Sequence, residues 1–271
     1  MKIKAMDRIR IVLSRIVALF RNDRLDADLD EELRAHIDLA ASENIAHGMS
    51  PREARTAALR SLGGLVNVFA LESFIDELAE AAGQDPVAYR LALLPDPRAR
   101  RVVARAAAMA GWATRGPAGR GRGLGLGYAR YKNRSAHAAV AALVVVEREV
   151  RLERLWCAAD CGLTINPDGA RNQLEGGMVQ AASMALKEEV RLGGAGVASL
   201  SWADYPILRF SEVPEIDVDL IGVPDDPPLG VGEATMGPTA GAIGNAVAHA
   251  LGVCMRALPM TRARIEASLL A

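Results

Sequence analysis

The stretch from His137 to Asp160 constrains the fold more than any other part of this sequence. It is rich in β-forming residues, and it carries charged residues at 147–149, near its middle. Charged residues between two β-forming runs are typical of a hairpin turn. We therefore predict two strands joined at 147–149, a strand-like segment beginning near Gly123, and another strand within 207–224.

The predicted helix starts share a local signal, an Asp or Asn followed by proline, at Asp85-Pro86, Asp96-Pro97 and Asn166-Pro167. The first residue can cap the helix, and proline suits the first helical position because its missing N–H has no helical partner there. Further helices are predicted over about 70–82, over 238–251 and after Thr261. Helices and strands do not alternate singly, so an α+β fold with mixed helices and sheet is favoured over a doubly wound sheet.

Composition and charge exclude several classes of function. A net charge of −1 and 4% aromatic residues leave neither the basic surface nor the stacking residues of a nucleic-acid-binding protein. Three cysteines are too few for a disulfide framework and fit either a reducing compartment or simple burial, and we expect a cytoplasmic protein. The Cys and His spacings match no zinc or iron–sulfur pattern. No apolar run reaches the roughly 18 residues that a membrane span requires.

The first 64 residues are predicted to form a small helical unit, because apolar residues recur at helical spacing within a basic stretch that ends near Arg24 and within the acidic stretch that follows it. A basic amphipathic helix either packs on a neighbouring helix or binds a membrane surface, here through residues 8–24. The pattern leaves both alternatives open.

Alternating glycines at 121, 123, 125 and 127 precede and enter the first predicted strand. A dinucleotide-binding fingerprint requires a strand, then glycines, then a helix. Because these glycines lead into a strand, we interpret them as a permissive connector rather than as a phosphate-binding loop.

Glu233 is the carboxylate whose surroundings most favour chemistry. It follows Gly232 in the segment PPLGVGEA, a few residues before a predicted helix. Glycines allow close approach of the backbone to a ligand, and a helix N-terminus favours an anion. A carboxylate buried beside a reactant there can act as a general base. The alternative is an ordinary solvated turn.

Gln173 lies near the start of the helix that follows Asn166-Pro167, and Gly176-Gly177 interrupt that helix. Each mid-helix glycine costs about 1 kcal/mol relative to alanine, which suggests close approach of another backbone or a ligand. The amide of Gln173 offers both a donor and an acceptor, as a heteroatom-rich cofactor requires. The alternative is a helix–helix contact with an exposed glutamine.

Several motifs occur in a defined order: NVFALESFIDELA, RYKNR, WCAADCGLTINPDGARNQLEGGMVQ and PPLGVGEATMGPTAGAIGNAV. Together they resemble the C-terminal part of the large, molybdopterin-binding subunit of the xanthine dehydrogenase/aldehyde oxidase family, in its isoquinoline 1-oxidoreductase β-subunit type. The resemblance runs from about Asn67 to Ala271.

The resemblance implies roles for three residues. Glu233 is expected to be the general base in the hydroxylation of a small-molecule substrate, an N-heterocycle or an aldehyde, with water-derived oxygen. Gln173 is expected to hydrogen-bond the molybdenum centre or its pterin, and Gly232 to allow close backbone approach. The implied cofactor is molybdenum–molybdopterin in its cytosine dinucleotide form. The resemblance also implies that this chain supplies no metal ligand and that iron–sulfur clusters belong to a partner, the iron–sulfur small subunit.

The family subunit is several times longer, and its cofactor lies between two halves. The first half is not matched here, so we expect the chain to be inactive alone and to require a partner chain that supplies this half. A cofactor held on one side stays open to water, which weakens each electrostatic contribution. The competing expectation is a non-catalytic fusion remnant that carries a helical interaction or membrane-surface module.

The segment LDEELRAHIDLAASENIAHGMSPREARTAALRSLGG resembles something different. Residues 6–64 are similar to the cytoplasmic prefix that precedes the first membrane span of macrolide-exporter-type ABC permeases. We therefore divide the chain into a helical prefix-like unit, residues 1–64, and a molybdopterin-binding dehydrogenase fragment, residues 66–271.

Overall fold

The computed structural model describes residues 63–193, 196–199, 201 and 203–270. Residues from Gly63 onward form one compact unit. The predicted helical unit over residues 1–64, its exporter-prefix resemblance and its membrane-surface alternative fall almost wholly outside the described residues, and they stay predictions.

The described part contains helices and strands in mixed order. The helices are α1 (Gly64–Ala81), α2 (Pro86–Leu93), α3 (Pro97–Met109), α4 (Pro167–Leu186), α5 (Met236–Leu251) and α6 (Arg262–Leu270). The strands are β1 (Arg122–Arg130), β2 (His137–Val146), β3 (Val150–Asp160), β4 (Leu192–Gly193), β5 (Gly196–Val197) and β6 (Glu215–Leu220).

The three helix starts marked by proline are confirmed. Asp85, Asp96 and Asn166 are the N-caps of α2, α3 and α4, and each is followed by a proline. Their side-chain oxygens accept backbone N–H bonds of 2.8–3.0 Å from residues two or three positions further on. These bonds satisfy donors that the helix itself leaves without partners.

Other boundaries differ from the sequence-based expectation. α1 begins at Gly64 rather than near residue 70, because Leu65 and Phe69 already pack in the core. α5 begins at Met236, two residues before the predicted Pro238. The strand predicted within 207–224 is confined to β6, since a short 3-10 turn occupies 210–212.

The main sheet has the strand order β1-β2-β3-β6. β1, β2 and β3 are antiparallel neighbours, and β2 and β3 are joined at 147–149 as predicted. β6 pairs with β3 in parallel, after the chain has passed through α4. This mixed sheet with helices confirms the α+β class. Among the described residues, no helix has the length and hydropathy needed to cross a membrane.

The sheet lies between two layers of helices. One face packs on α4 and α5 in the larger hydrophobic cluster, which includes Val140, Leu155, Leu174 and Ile243. The other face packs on α2 and α3 in a second cluster around Val102. Because successive strand residues point to opposite faces, both faces of the sheet are buried over most of their length.

Three of the alternating glycines, Gly123, Gly125 and Gly127, are not a connector, as the sequence pattern suggested, but part of β1 and of its packing against α5. Gly121 precedes the strand. A Cβ at Gly125 would lie 2.2 Å from the Ala246 nitrogen and 2.4 Å from the Ala242 oxygen. Gly123 and Gly127 are equally close to the α5 backbone, at 1.9 and 2.4 Å. The glycine face of β1 therefore lets α5 lie directly on the strand, while the alternate residues face the second cluster.

Within the described residues, side chains rather than another strand bond to the outer edge of β1. Backbone groups of Leu124, Leu126 and Tyr128 that point away from β2 bond to side chains from α1, α5 and the segment after α3. The bonds are Leu124 N to His249 Nδ1 (3.1 Å), Arg115 Nε to Leu124 O (2.9 Å), Asn245 Nδ2 to Leu126 O (2.9 Å) and Tyr128 N to Glu72 Oε2 (3.0 Å). These contacts fix α5, and with it the loop that precedes α5.

Candidate functional site

The loop between β6 and α5 carries Gly232 and Glu233 and is tied to α4 at two points. Gln173 Nε2 donates to the carbonyl oxygen of Gly232 at 2.6 Å. The Thr235 hydroxyl donates to the carbonyl oxygen of Leu174 at 2.9 Å, and this bond is buried. Consecutive residues of α4 thus hold the backbone on both sides of Glu233.

The side chain of Glu233 meets the turn between β1 and β2. The Tyr131 hydroxyl donates to Glu233 Oε2 at 3.1 Å, and both side chains are half-buried. Two turn bonds shape the backbone around the carboxylate, from Ala234 N to Val231 O and from Met236 N to Glu233 O. The carboxylate is therefore held by its own loop and by a hydrogen-bond donor more than one hundred positions away in sequence.

A second loop, directly after β3, supports the first. Leu229 N donates to Cys161 O at 2.8 Å, and Leu163 N donates to Asp226 O at 3.0 Å. Gly162 lies between them at φ +66°, and a Cβ there would meet the Pro227 oxygen at 2.2 Å. Only glycine fits this close crossing of two backbones.

Asp160, at the end of β3, fixes the start of this supporting loop. Its buried carboxylate accepts bonds from Arg98 (2.9 and 2.6 Å), Arg101 (2.9 Å) and Gly162 N (3.0 Å). Burial alone raises the pKa of this carboxyl, but the hydrogen bonds from Arg98, Gly162 and Arg101 outweigh burial and lower the pKa below its usual value. Asp160 is therefore charged at neutral pH and links α3 to the loops that position Glu233.

The outer surface of this region is open and poor in side chains. Gly230 and Gly176 are exposed, and a Cβ at either would meet nothing within 4 Å. Gln173 is exposed, and Ile165, just before α4, is 74% exposed. A polar and glycine-lined surface with apolar residues at its margin is suited to contact with a ligand or with another polypeptide.

The structure brings together all three residues singled out in the sequence. Gln173 and Gly232 are hydrogen-bonded to each other, and Glu233 follows directly. The sequence patterns missed Tyr131 and Thr235. Tyr131 stood within the RYKNR motif, but nothing local indicated that its hydroxyl reaches Glu233.

A molybdopterin cofactor is compatible with this donor set. A pterin is rich in ring nitrogens and oxygens and carries a phosphate, so it requires amide groups, accessible backbone and little steric bulk. Gln173 has two donor hydrogens and an acceptor oxygen, of which the bond to Gly232 uses one donor. Gly230 and Gly232 leave the adjoining backbone accessible, since the nearest atom to a Cβ at Gly232 would be the Tyr131 hydroxyl, at 3.8 Å.

Fold and donor set together define a domain that presents a polar, glycine-lined surface where the loop before α5 meets α4. Comparison with known proteins identifies the family to which this domain belongs. Residues 75–214 match the family described as the molybdopterin cofactor-binding domain. The chain belongs to this family, within the xanthine dehydrogenase/aldehyde oxidase group. The matched range includes Gln173, whereas Gly232 and Glu233 follow it.

Individual relatives agree with this assignment. The chain is 42% identical over 231 residues to a nicotinate dehydrogenase subunit of Pseudomonas putida, a match that covers 79% of this chain and 20% of the relative. It is 38% identical over 207 residues to the beta subunit of isoquinoline 1-oxidoreductase from Brevundimonas diminuta, covering 74% of this chain and 26% of the relative. The chain thus spans about a quarter or less of these relatives.

A solved structure shows the same fold. The aldehyde oxidoreductase of Desulfovibrio gigas superimposes with a TM-score of 0.64, over 78% of this chain and 41% of that chain. Sequence identity in this superposition is 14%, so the comparison concerns the fold alone. It confirms the predicted mixture of helices and sheet for the molybdopterin-binding part.

Proposed function

We propose that this chain supplies one wall of a molybdenum–molybdopterin site in an oxidoreductase that hydroxylates an N-heterocycle or an aldehyde with water-derived oxygen. The observation that carries the proposal is the hydrogen bond from Gln173 to Gly232, next to a carboxylate, on a surface where Gly176 and Gly230 leave open space. The relatives named for nicotinate and isoquinoline favour a nitrogen heterocycle as the substrate class.

Each residue has a distinct part in this proposal. Gln173 binds and orients the cofactor through its amide, and Gly232 allows the cofactor to reach the backbone. Glu233 is the general base, since a carboxylate at this position can accept a proton as the substrate is hydroxylated. The bound cofactor would supply the two-electron redox chemistry. The protein contributes orientation and the movement of a proton.

The proposal includes partners, because the surface around Gln173 and Glu233 would contact a cofactor on one side only. A second chain would supply the remaining contacts, and an iron–sulfur small subunit would carry electrons away. The cytosine dinucleotide form of the cofactor is part of the same proposal, as is a cytoplasmic location. The chain alone does not turn over, since an electrostatic site open to water loses much of its effect.

Molybdenum analysis of the purified chain tests this proposal. We expect molybdenum only after co-expression with a chain that supplies the unmatched part of the relatives, and none in the chain purified alone. Molybdenum bound firmly by the isolated chain would contradict the one-wall arrangement. Its absence under every condition would contradict the function and favour a non-catalytic remnant.

Variants of the assembled protein separate binding from catalysis. Gln173→Ala is expected to lower the molybdenum content, because the cofactor loses an amide partner. Glu233→Gln is expected to retain molybdenum but to lose a factor of about 10²–10⁴ in turnover, the usual contribution of a general base. Glu153→Gln, a half-buried glutamate in β3, is the matched control and should change neither quantity.

A further inference from the structure

Tyr131 opens the turn between β1 and β2, and the turn holds its backbone firmly. Its N–H donates to Ala136 O at 2.8 Å, and its carbonyl accepts from Ser135 N at 2.8 Å. The next two residues, Lys132 and Asn133, lie in the left-handed region at φ 49° and 57°. Such angles are uncommon for residues other than glycine. The two backbone bonds hold Tyr131 in place at the start of this turn.

The Tyr131 side chain spans the distance from this turn to the loop before α5. Its ring packs against the larger hydrophobic cluster, and its hydroxyl donates to Glu233 Oε2 at 3.1 Å. The backbone on either side of Glu233 is anchored independently, through Gln173 and Thr235. Removing the Tyr131 hydroxyl should therefore change the direction of the carboxylate and leave the path of the loop unchanged.

We propose that Tyr131 is the positioning residue of the Glu233 carboxylate. The phenol bonds one carboxylate oxygen, and this bond fixes the plane of the carboxylate and the direction of its second oxygen. The inference rests on the proposed function, in which Glu233 is the general base. A reacting group displaced by about 1 Å can lose about 100-fold in rate, so fixing this direction has a direct catalytic consequence.

Infrared spectroscopy of the cofactor-free full chain, labelled with ¹³C-carboxyl glutamate, tests the bond itself. Tyr131→Phe is expected to shift a carboxylate band relative to the wild type. When the same comparison is made between Glu233→Gln and the Tyr131→Phe/Glu233→Gln double variant, the shift should vanish. Tyr205→Phe is the matched control, since the Tyr205 hydroxyl donates to Glu188 Oε2 at 2.8 Å. Its band shift should persist in the Glu233→Gln background. A Tyr131→Phe spectrum without a shift that depends on Glu233 would overturn the inference.

Kinetics of the molybdenum-loaded assembly, with nicotinate and isoquinoline as probes, test the consequence. Tyr131→Phe should lower kcat per molybdenum by about tenfold, part of what misplacement of a reacting group costs, and leave KM within about twofold. Tyr205→Phe should leave both constants unchanged. An unaltered kcat in Tyr131→Phe would overturn the positioning role. A wild-type assembly without molybdenum would count against the proposed function instead, and the infrared comparison would still decide for or against Tyr131.

Discussion

Glycine serves opposite purposes in two regions of this protein. Along β1, a Cβ at Gly123, Gly125 or Gly127 would come within 1.9–2.4 Å of the α5 backbone. On α4 and in the loop before α5, a Cβ at Gly176 or Gly230 would meet nothing within 4 Å. The first region is a closed contact between a strand and a helix, and the second is an exposed surface.

The difference shows how a rigid region positions an accessible one. Because β1 has glycines at the three positions that contact α5, the helix lies directly on the strand and its position is fixed. The loop before α5 inherits that position, and Glu233 lies between the two bonds that join this loop to α4. The open glycines leave the adjoining surface accessible to whatever binds there.

We expect the largest effect on stability from a substitution in the contact between β1 and α5. Gly125→Val places methyl groups where the α5 backbone lies, so the helix must move away from β1. We expect a loss of about 3 kcal/mol or more in the free energy of unfolding, at the upper end for an overpacked core. Urea denaturation followed by circular dichroism measures the loss. A variant as stable as the wild type would show that α5 is not in contact with this strand.

Asp160 connects the closed core to the loops below the open surface. Asp160→Asn exchanges charged hydrogen bonds for neutral ones, and we expect a loss of about 2 kcal/mol at pH 7. The lowered pKa of Asp160 means that this contribution is complete above the unfolded value of about 3.9 and is lost as the pH falls through the folded value.

Unfolding measured as a function of pH tests both parts of this prediction. The difference in stability between the wild type and Asp160→Asn should be constant near neutral pH and should narrow below about pH 4. A difference that widens in acid would show that the carboxyl is not held in its charged form by Arg98 and Arg101.

In the open region, by contrast, we expect a substitution that raises the free energy of unfolding. Gly176→Ala is expected to stabilise the chain by about 0.5–1 kcal/mol, since alanine is the better helix former and a Cβ there meets nothing. The same change should lower the molybdenum content of the assembly if this surface contacts the cofactor. Gly244→Ala is the matched control, because its Cβ would lie 2.5 Å from the Phe69 ring, and it should destabilise.

Gln173→Ala is expected to have the smallest effect on the free energy of unfolding. The Gln173 side chain is exposed and makes one bond to the Gly232 carbonyl, so thermal unfolding should change by less than about 1 kcal/mol. Molybdenum content should fall far more than stability does. A fall in stability with no change in molybdenum content would show that Gln173 only joins α4 to the loop before α5 and does not bind the cofactor.

Features set by neighbouring residues could be predicted from the sequence. The caps at Asp85, Asp96 and Asn166 are local hydrogen bonds followed by proline, so the starts of α2, α3 and α4 were predicted correctly. The β2–β3 turn has the same local origin. The convergence of Gln173 and Glu233 was expected only through the resemblance to a family. The local patterns left a solvated turn as the alternative for Glu233 and a helix–helix contact as the alternative for Gln173.

Features that depend on distant contacts could not be predicted. The glycines of β1 were misinterpreted because the reason for them, the α5 backbone, lies more than one hundred residues further on. The start of α5 was placed two residues late, since the Thr235 side chain bonds to Leu174 of α4 rather than capping its own helix. Tyr131 was missed for the same reason, because its partner Glu233 is distant in the chain.

The position of molybdenum in the assembled protein, located by anomalous diffraction at its absorption edge, tests the account most directly. We predict a single peak in front of the loop before α5, adjacent to both Gln173 and Glu233. A peak elsewhere, with these two side chains outside the cofactor's surroundings, would contradict the account.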